Sequence, residues 1–307
     1  MSQAWKKLSS IRPGTVIVGK WHQKHYTIRR RLGRGAVGTV YLCEQNGRYA
    51  ALKISDNAAS MTVEVNVLKS LEKVQGNRLG PSLLDVDDWE AFPGDKYVFY
   101  VMEYLHGEPL THFINRHGHE WAGIFMVQLL DDLEQLHQAG WVLGDVKPEN
   151  MIVVSSPAKV RWIDVGGTTQ IGRSIKEYTE FFDRGYWGMG SRRAEPSYDL
   201  FALAMIFLTV YYPNRFDKGP DPKGTLFQKL HDVKALRLYR NCLKKALTGS
   251  YQSSAHMRNE LMAAMNNARA RHNHTNNASS YKNSVFKEGI GIMLLTLVYY
   301  VSSLFLP

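Results

Sequence analysis

The stretch that decides the fold reads Gly144-Asp145-Val146-Lys147-Pro148-Glu149-Asn150. A further acidic residue, Asp164, follows it along the chain. Phosphoryl transfer requires a carboxylate that orients the attacking hydroxyl, hard oxygen ligands for Mg²⁺ and positive charge on the transferred group. Asp145 is the candidate for the first role, Asn150 and Asp164 for the second, and Lys147 for the third. Surface turns are also rich in Asp and Asn. Motifs elsewhere in the chain are therefore needed to distinguish a phosphoryl-transfer site from ordinary turns.

A glycine-rich stretch lies upstream and reads Gly33-Arg34-Gly35-Ala36-Val37-Gly38. Glycines let backbone N–H groups approach phosphate oxygens closely. The same spacing occurs in dinucleotide-binding turns, but those connect a strand to a helix. Here strand patterns lie on both sides, at Tyr26 to Leu32 and at Thr39 to Cys43. This arrangement favours a hairpin that covers nucleotide phosphates. The residues of this hairpin predicted to contact the nucleotide are Gly33, Arg34, Gly35 and Gly38.

The third element is Lys53, which ends the predicted strand Tyr49 to Ile54. The next apolar pattern, Ser60 to Lys73, has helical spacing and carries Glu64 on its apolar side. A carboxylate among apolar residues needs a partner. We expect Lys53 to be that partner, which would leave its ammonium oriented toward the α- and β-phosphates.

The bulk properties of the chain indicate a globular protein with anionic partners. Hydrophobic residues make up 44% and charged residues 21% of 307 residues, and the formal net charge is +10. The two cysteines lie far apart in the sequence, which argues against a disulfide framework and favours a reducing compartment. The first hundred residues are rich in strand patterns and the remainder in helical ones, which predicts an α+β fold in two lobes.

Two segments close the chain. The polar, asparagine-rich stretch around residues 266–284 lacks large aliphatic residues and predicts a linker. Residues 289–306 carry no charge and would span roughly 27 Å as a helix, close to the thickness of a bilayer core. We expect a single membrane span there; a buried terminal helix is the alternative. Basic residues lie only on its N-terminal side, which predicts a cell-membrane protein with its catalytic lobes in the cytoplasm.

Together the motifs resemble the eukaryotic-like (Hanks-type) serine/threonine protein kinases, over roughly residues 26 to 262. The resemblance implies a bilobal kinase fold that binds ATP and Mg²⁺ (or Mn²⁺) in a cleft and acts on Ser/Thr hydroxyls of proteins. Lys147 matches the serine/threonine class, and Asp199 looks like the aspartate that anchors the catalytic loop. The residues implied around the adenine are Val40, Ala51, Met102 (gatekeeper), Glu103 and Leu105 (hinge) and Ile152.

The predicted domains follow from these motifs and from composition. They are a basic N-terminal segment (1–25), an N-lobe (26–104), a C-lobe (105–262), a polar linker (263–288) and a transmembrane helix (289–306).

The sequence departs from the family pattern in the catalytic loop and in the activation segment. Leu143 and Gly144 stand where the family has His and Arg, and Val165 replaces a Phe. An Ala-Pro-Glu motif is expected near Gly185, where its Glu is missing, and the arginine that would pair with it is replaced by Ser250. Because both partners of one ion pair are lost together, we expect a structural replacement.

The short activation segment, the basic N-terminus and the bare anchor resemble the small YabT-type kinases of spore-forming bacteria, which implies a role in sporulation. The stretch from Pro222 to Lys245 carries seven basic residues and one acidic residue. We expect Lys234, Arg237, Asn241 and Lys244 to share one helical face. Such a surface is compatible with plain solvation, with sequence-independent DNA binding or with anionic lipid binding.

The sequence leaves two alternative functions open. It also leaves open whether the chain associates with itself. The first alternative is a small-molecule phosphotransferase of the aminoglycoside-kinase type. The pair Gly144-Asp145 resembles the catalytic loop of that class. Lys147 and the intact glycine loop speak against it. The second is a pseudokinase scaffold, and the full set of phosphate-handling residues speaks against that.

Overall fold

The computed structural model describes residues 10–35, 37–72, 80–92, 95–154 and 157–270. The chain divides into two compact units, Met1–Asn259 and Glu260–Pro307. The first unit contains a strand-rich lobe followed by a helix-rich lobe, as the sequence predicted. In the second unit the structure describes residues 260–270, which are helical.

The N-terminal lobe is built on one antiparallel sheet of six strands in the order β1-β2-β3-β4-β6-β5. The strands are β1 (Val16–Val18), β2 (His25–Arg34), β3 (Thr39–Gln45), β4 (Arg48–Ser55), β5 (Leu83–Phe92) and β6 (Asp95–Glu103). Asn46 and Gly47 connect β3 to β4 with φ angles of 49° and 75°, as a tight hairpin turn of mirror-image type requires. One face of the sheet buries Tyr26, Leu52 and Phe99 in an apolar cluster.

Helix α1 (Ala58–Glu72) follows β4 and packs against β5 and β6. Its buried side chains are Met61, Glu64, Val65, Val67, Leu68 and Leu71. These positions recur at intervals of three and four residues, which places Glu64 on the face that meets the sheet.

The N-terminal lobe begins earlier than residue 26. Strand β1 pairs with β2, and the backbone N–H of Lys20 donates to the carbonyl of Asp88 in β5 at 2.8 Å. Residues 16–20 therefore connect the two edges of the sheet. Val16, Ile17 and Val18 form this strand and lie within the predicted segment 1–25, in which basic side chains otherwise dominate the composition.

The C-terminal lobe surrounds a central helix, α4 (Pro196–Thr209), in which every residue from Tyr198 to Thr209 is buried. Around it lie α2 (Leu110–His117), α3 (Glu120–Gln138), α5 (Pro222–Asp232) and α6 (Arg240–Leu247), and residues 254–259 are also helical. Its short strands are β7 (Glu108–Pro109), β8 (Trp141–Val142), β9 (Met151–Val154), β10 (Lys159–Trp162) and β11 (Thr169–Gln170). Strands β9 and β10 form a hairpin, and β8 pairs with β11. The catalytic loop and the activation segment run between these strands and α4.

The basic stretch from Pro222 to Lys245 does not form one helix. Helix α5 ends at Asp232, a 3₁₀ turn covers Lys234–Leu236, and α6 begins only at Arg240. Val233 has an extended backbone (φ −82°, ψ 102°), which ends the helical hydrogen bonding. The single face expected for Lys234, Arg237, Asn241 and Lys244 was therefore wrong, although these residues still lie close together along the chain.

The C-terminal predictions fall mostly outside the described residues. The polar linker was expected from residue 263, but residues 263–270 are helical, because Met and Ala interleave with the asparagines there and are good helix formers. Residues 271–307, which include the predicted span 289–306, lie outside the described part of the chain. Among the described residues, none of the helices has the length and apolar character needed to cross a bilayer.

Candidate active site

A cavity of about 650 Å³ lies between the two lobes, and it brings most of the predicted site residues together. The predicted residues that line it are Gly33, Arg34, Gly35, Val40, Ala51, Lys53, Met102, Glu103, Leu105, Lys147, Asn150, Ile152 and Asp164. Gly38, Glu64 and Asp145 do not line it. The other residues in its wall are Leu32, Pro81, Tyr100, Tyr104, Glu149, Ile163, Thr179 and Arg215.

The glycine-rich stretch forms the tip of the β2–β3 hairpin, as predicted. Gly33 pairs with Val40 across the two strands, and the N–H of Gly35 donates to the carbonyl of Gly38 at 2.9 Å. A Cβ atom on Gly38 would lie 2.6 Å from the carbonyl oxygen of Ile54. The third glycine therefore supports the hairpin tip against β4, while the first two line the cavity.

The predicted pair of Lys53 and Glu64 is present. The ammonium of Lys53 on β4 lies 2.6 Å from the carboxylate of Glu64 on α1, and both side chains are buried. The phenol of Tyr100 on β6 also donates to Glu64, at 2.8 Å. Burial, and then the charge of Glu64, raises the pKa of Tyr100 well above its ordinary value, so this phenol stays a donor. Glu64, itself held by Tyr100, thus fixes the Lys53 side chain at the edge of the cavity.

The catalytic loop is suspended from α4 by Asp199, as the resemblance implied. The fully buried Asp199 carboxylate accepts the backbone N–H of Leu143 at 2.8 Å and that of Gly144 at 3.0 Å. It also contacts the ring of His137, at the end of α3, at 3.0 Å. His137 in turn bonds to the hydroxyl of Ser254. Since every group in this hydrogen-bond network is buried and has a partner, the catalytic loop is held rigidly.

The carboxylate of Asp145 lies beside one ammonium and one hydroxyl. Lys147 bonds to one carboxylate oxygen, and the hydroxyl of Thr179 donates to the other at 2.9 Å. Lys147 also reaches the Thr179 hydroxyl, at 3.4 Å. The side-chain amide of Asn150 donates to the backbone carbonyl of Asp145 at 3.2 Å, which leaves its amide oxygen for another ligand. Thr179 comes from the activation segment, so this segment reaches the catalytic loop.

The donor set at the cavity fits a hard divalent cation. Asp164 is exposed, and one of its carboxylate oxygens accepts the N–H of Gly166 at 2.9 Å. The Asp164 carboxylate and the Asn150 amide oxygen are the ligand types that Mg²⁺ and Mn²⁺ prefer, and both residues line the cavity. The residues present therefore fit a nucleotide with its metal ion.

The departure at Gly144 has a local structural cause. Gly144 has a φ of +77°, and a Cβ atom there would lie 2.7 Å from the carbonyl oxygen of Gly167. A Cβ on Gly167 would in turn lie 2.9 Å from that of Asp145. The two glycines let the start of the activation segment pass directly over the catalytic loop. An arginine at position 144 does not fit this arrangement.

The expected replacement for the missing ion pair lies entirely inside the activation segment. The buried guanidinium of Arg184 pairs with Glu195 at 2.6 Å and donates to the hydroxyl of Ser197 at 2.7 Å. One residue earlier, the fully buried Asp183 pairs with Arg192 at 2.7 Å and accepts the phenol of Tyr198 at 2.9 Å. Glu195, which stands ten residues after the expected position near Gly185, thus contributes the carboxylate, and its partner is Arg184, an arginine that no sequence pattern singled out.

Comparison with known proteins agrees with this geometry. The family model for the protein kinase domain matches residues 26–278. The chain belongs to the protein kinase family. It is 49% identical over 256 residues to the serine/threonine-protein kinase YabT of Bacillus subtilis, covering 83% of this chain and 76% of that protein. The matched region contains the complete phosphate-handling set, so the chain is a serine/threonine protein kinase that acts on protein substrates and uses ATP with a divalent metal ion.

Solved structures show the same fold at low sequence identity. Vaccinia related kinase 3 superposes with a TM-score of 0.63 and 18% identity, covering 86% of this chain and 95% of that one. The kinase domain of PknI from Mycobacterium tuberculosis gives a TM-score of 0.57 and 18% identity, covering 83% and 99%. These likenesses confirm the bilobal kinase fold. With the kinase class shown, the small-molecule phosphotransferase and the pseudokinase scaffold are set aside.

Proposed function

We propose that Asp145 accepts the proton of the substrate Ser or Thr hydroxyl while Lys147 offsets the charge of the transferred phosphoryl group. The observation that carries this assignment is the Thr179 hydroxyl, which already donates to Asp145 at 2.9 Å and lies within 3.4 Å of Lys147. A hydroxyl in this position is oriented for proton transfer, since geometry within hydrogen-bond reach is the first requirement of a general base. A substrate hydroxyl would take the place that Thr179 marks.

The nucleotide would be held by both lobes. Gly33, Gly35 and Lys53 would contact its phosphates, and Asn150 and Asp164 would hold the divalent cation, Mg²⁺ or Mn²⁺. When bound, that ion neutralises charge on the phosphate oxygens. The apolar wall of the same cavity would hold the adenine, with hydrogen bonds from the backbone of the hinge. That wall consists of Val40, Ala51, Met102, Leu105 and Ile152, and Glu103 lies in the hinge.

Substitution at the two ends of this arrangement tests the assignment. We expect Asp145→Ala and Lys53→Ala each to lower phosphate transfer to a general protein substrate by a hundredfold or more, since each removes several kcal/mol of transition-state stabilisation. Labelled ATP and Mg²⁺ give the rate, and thermal unfolding shows whether the variant is folded. Exposed residues of the same types, Asp56→Ala and Lys69→Ala, serve as controls. Transfer by Asp145→Ala at a near-wild-type rate would show that the catalytic loop is wrongly assigned.

We also infer a location at the cell membrane. The uncharged stretch 289–306 would form the single span, and the basic residues before it would keep the kinase lobes in the cytoplasm, where ATP is available. The full chain should then sediment with membranes, and a chain that ends at residue 284 should remain in the supernatant. Equal partition of the two chains would contradict the anchor.

The basic stretch 222–245 supports a further proposal, namely sequence-independent binding of DNA, with anionic lipid as the competing ligand. Lys234 and Arg237 are exposed, and Lys244 lies over the ring of Phe227 at 5.0 Å. The resemblance to small kinases of spore-forming bacteria supports a role during sporulation, which deletion of the gene and a spore count would test. The DNA measurement is described in the Discussion.

A further inference from the structure

Arg215 lies where the nucleotide cavity meets a second groove. It follows α4 in the chain and has a φ of +59°, which is uncommon for a residue with a side chain. It lines the nucleotide cavity and also a groove of about 540 Å³ whose wall includes Glu180, Tyr186 and Asp217. Thr179, which bonds to Asp145, lines both spaces as well. Arg215 therefore lies beside the path by which a polypeptide substrate would reach the catalytic loop.

The guanidinium of Arg215 is held by one carboxylate and two aromatic rings. It lies 2.9 Å from Glu149, which belongs to the catalytic loop two residues after Lys147. Its central carbon lies 5.2 Å from the ring centroid of Phe182 and 5.5 Å from that of Phe181. Stacking on aromatic faces together with a carboxylate contact is the arrangement in which a guanidinium binds best. A positive φ is conformationally unfavourable for a residue with a side chain, and the contacts of the Arg215 guanidinium offset that cost.

The position of Glu149 explains what such a contact does. An exposed carboxylate next to the acceptor site would attract a Lys or Arg of the substrate that lies close to its Ser or Thr. The Glu149 and Arg215 side chains are 57% and 39% exposed, so a substrate can reach both. In this chain an internal arginine already neutralises the carboxylate.

We propose that Arg215 takes the place of a basic substrate side chain at Glu149 and thereby selects against Lys and Arg beside the acceptor hydroxyl. This inference rests on the proposed role of Asp145, because Asp145 defines where the acceptor lies. Arg215 is then a specificity-determining residue, and its removal changes which peptides are preferred more than how fast a neutral peptide reacts.

Peptide kinetics with the full-length chain test the proposal. Two peptides are compared that differ only in carrying Arg or Gln at the three positions before a single Ser, and the ratio of their kcat/KM values is the readout. Arg215→Ala should raise the ratio of Arg peptide to Gln peptide about threefold to fivefold, the size of an exposed ion pair. Adding Glu149→Gln to that variant should return the ratio to the wild-type value. Arg215→Lys keeps a cation and should leave the ratio near wild type.

Arg29→Ala is the matched control, because Arg29 forms an exposed pair with Glu44 at 2.8 Å on the N-terminal lobe. It should not move the ratio. Glu149→Gln alone leaves the Arg215 cation unpaired and should lower the ratio, because that cation repels a basic peptide. A ratio below the wild-type value in the double variant would mean that Glu149 already binds basic substrates in the wild type and would overturn the proposal. An unchanged ratio in Arg215→Ala, or an equal loss for both peptides, would overturn it too. Failure of the Asp145 assignment is distinguishable, because it would appear as transfer retained by Asp145→Ala.

Discussion

At the scale of single residues, Asp132 lies in surroundings that disfavour a charged carboxylate. It lies on α3 with 3% of its surface exposed, beside the apolar side chains Leu133 and Trp162. Burial raises the pKa of this carboxyl to about 7, and neighbouring Asp131 adds to the rise, whereas the cations Lys159 and Arg161 lower it. Asp132 is thus largely neutral in the folded protein at slightly acidic pH.

This environment predicts that stability depends on pH near neutrality. The pKa rises from 3.8 in the unfolded chain to about 7 on folding. The folded protein therefore binds a proton that the unfolded chain releases, and stability falls as pH rises from about 4 to about 7. Asp132→Asn removes the ionisation, so we expect it to be more stable than wild type at pH 8 by about 2–4 kcal/mol, with a smaller difference at pH 5.

Urea unfolding of both proteins at the two pH values measures this difference. The exposed neighbour Asp131, which pairs with Arg258, provides the control variant Asp131→Asn. If Asp132→Asn and wild type have the same pH dependence, the buried carboxyl does not titrate as its environment indicates.

Single residues were predicted from sequence wherever local order carries the chemistry. Asp145, Lys147 and Asn150 lie within one loop, and the apolar spacing around Glu64 was enough to assign Lys53 as its partner. The bond of Thr179 to Asp145 could not be predicted, because it depends on how the activation segment folds. Arg184 gave no local signal, because an arginine in a polar loop looks like a solvated one until its partner Glu195 is brought beside it.

At the scale of elements, the activation segment is ordered by its own side chains. Arg184 donates to Glu195, to Ser197 and to the backbone carbonyl of Ser191, the last at 2.7 Å. No phosphate is needed for these contacts. Gly144 also offers no guanidinium that could order a phosphate at the catalytic loop. We therefore expect that phosphorylation of the segment is not a strict switch.

The test is replacement of the segment hydroxyls by Ala, followed by transfer to an exogenous substrate. Ser174 is exposed and Thr168 is buried, so Ser174 is the better candidate for autophosphorylation. Ser174→Ala and Thr169→Ala should each retain activity within a few-fold. A hundredfold loss in either would contradict self-ordering. Thr179 is treated separately, because it contacts Asp145 and its replacement affects the acceptor site directly.

The same segment predicts an asymmetry between the two members of its ion pair. Arg184 is 5% exposed and Glu195 is 42% exposed by side chain. Arg184→Ala removes a buried side chain together with its hydrogen bonds to Ser191, Ser197 and Glu195, and should cost about 3 kcal/mol. Glu195→Gln keeps a polar group at the rim and should cost about 1 kcal/mol or less. Chemical denaturation measures both, and the exposed Arg173→Ala is the control. Equal losses in the two variants would show that the pair does not hold the segment.

Elements themselves were predictable where the periodicity was strong. Strands β2, β3 and β4 and helix α1 match their predicted ranges closely, because their apolar positions alternate or recur at helical spacing. Strand β5 was missed because its buried face carries Asp85 and Asp87, which accept hydrogen bonds from Tyr26 at 2.5 Å and from the backbone of Trp21 at 2.9 Å. Buried acids interrupt the apolar alternation that indicates a strand, and their hydrogen-bond partners lie too far along the chain to be recognised from the sequence.

At the scale of the whole molecule, a net charge of +10 with its basic stretch 222–245 favours binding to polyanions. The broken path of this stretch through α5, the 3₁₀ turn and α6 excludes a single recognition helix. Lys229 and Lys244 also lie over aromatic rings, at 4.8 Å from Tyr212 and 5.0 Å from Phe227. Such a surface offers charge without a base-reading element, so contacts to phosphates should dominate.

We therefore expect residues 1–284 to bind DNA without sequence preference and with a steep loss of affinity as salt rises, since counterion release is the driving force. Gel-shift titrations across a salt series give the slope. Each phosphate contact contributes about 0.9 to the slope of log K against log salt. Replacing Lys234, Arg237, Lys244 and Lys245 by Ala should therefore flatten the slope by up to about 3–4 while ATP binding is unchanged. A control of equal charge removes four exposed basic residues of the N-terminal lobe: Arg29, Arg30, Arg48 and Lys69. Equal flattening in the control would show a net-charge effect in place of a binding surface. Absence of DNA binding at low salt, with firm retention on acidic vesicles, would leave anionic lipid as the ligand and remove the DNA proposal.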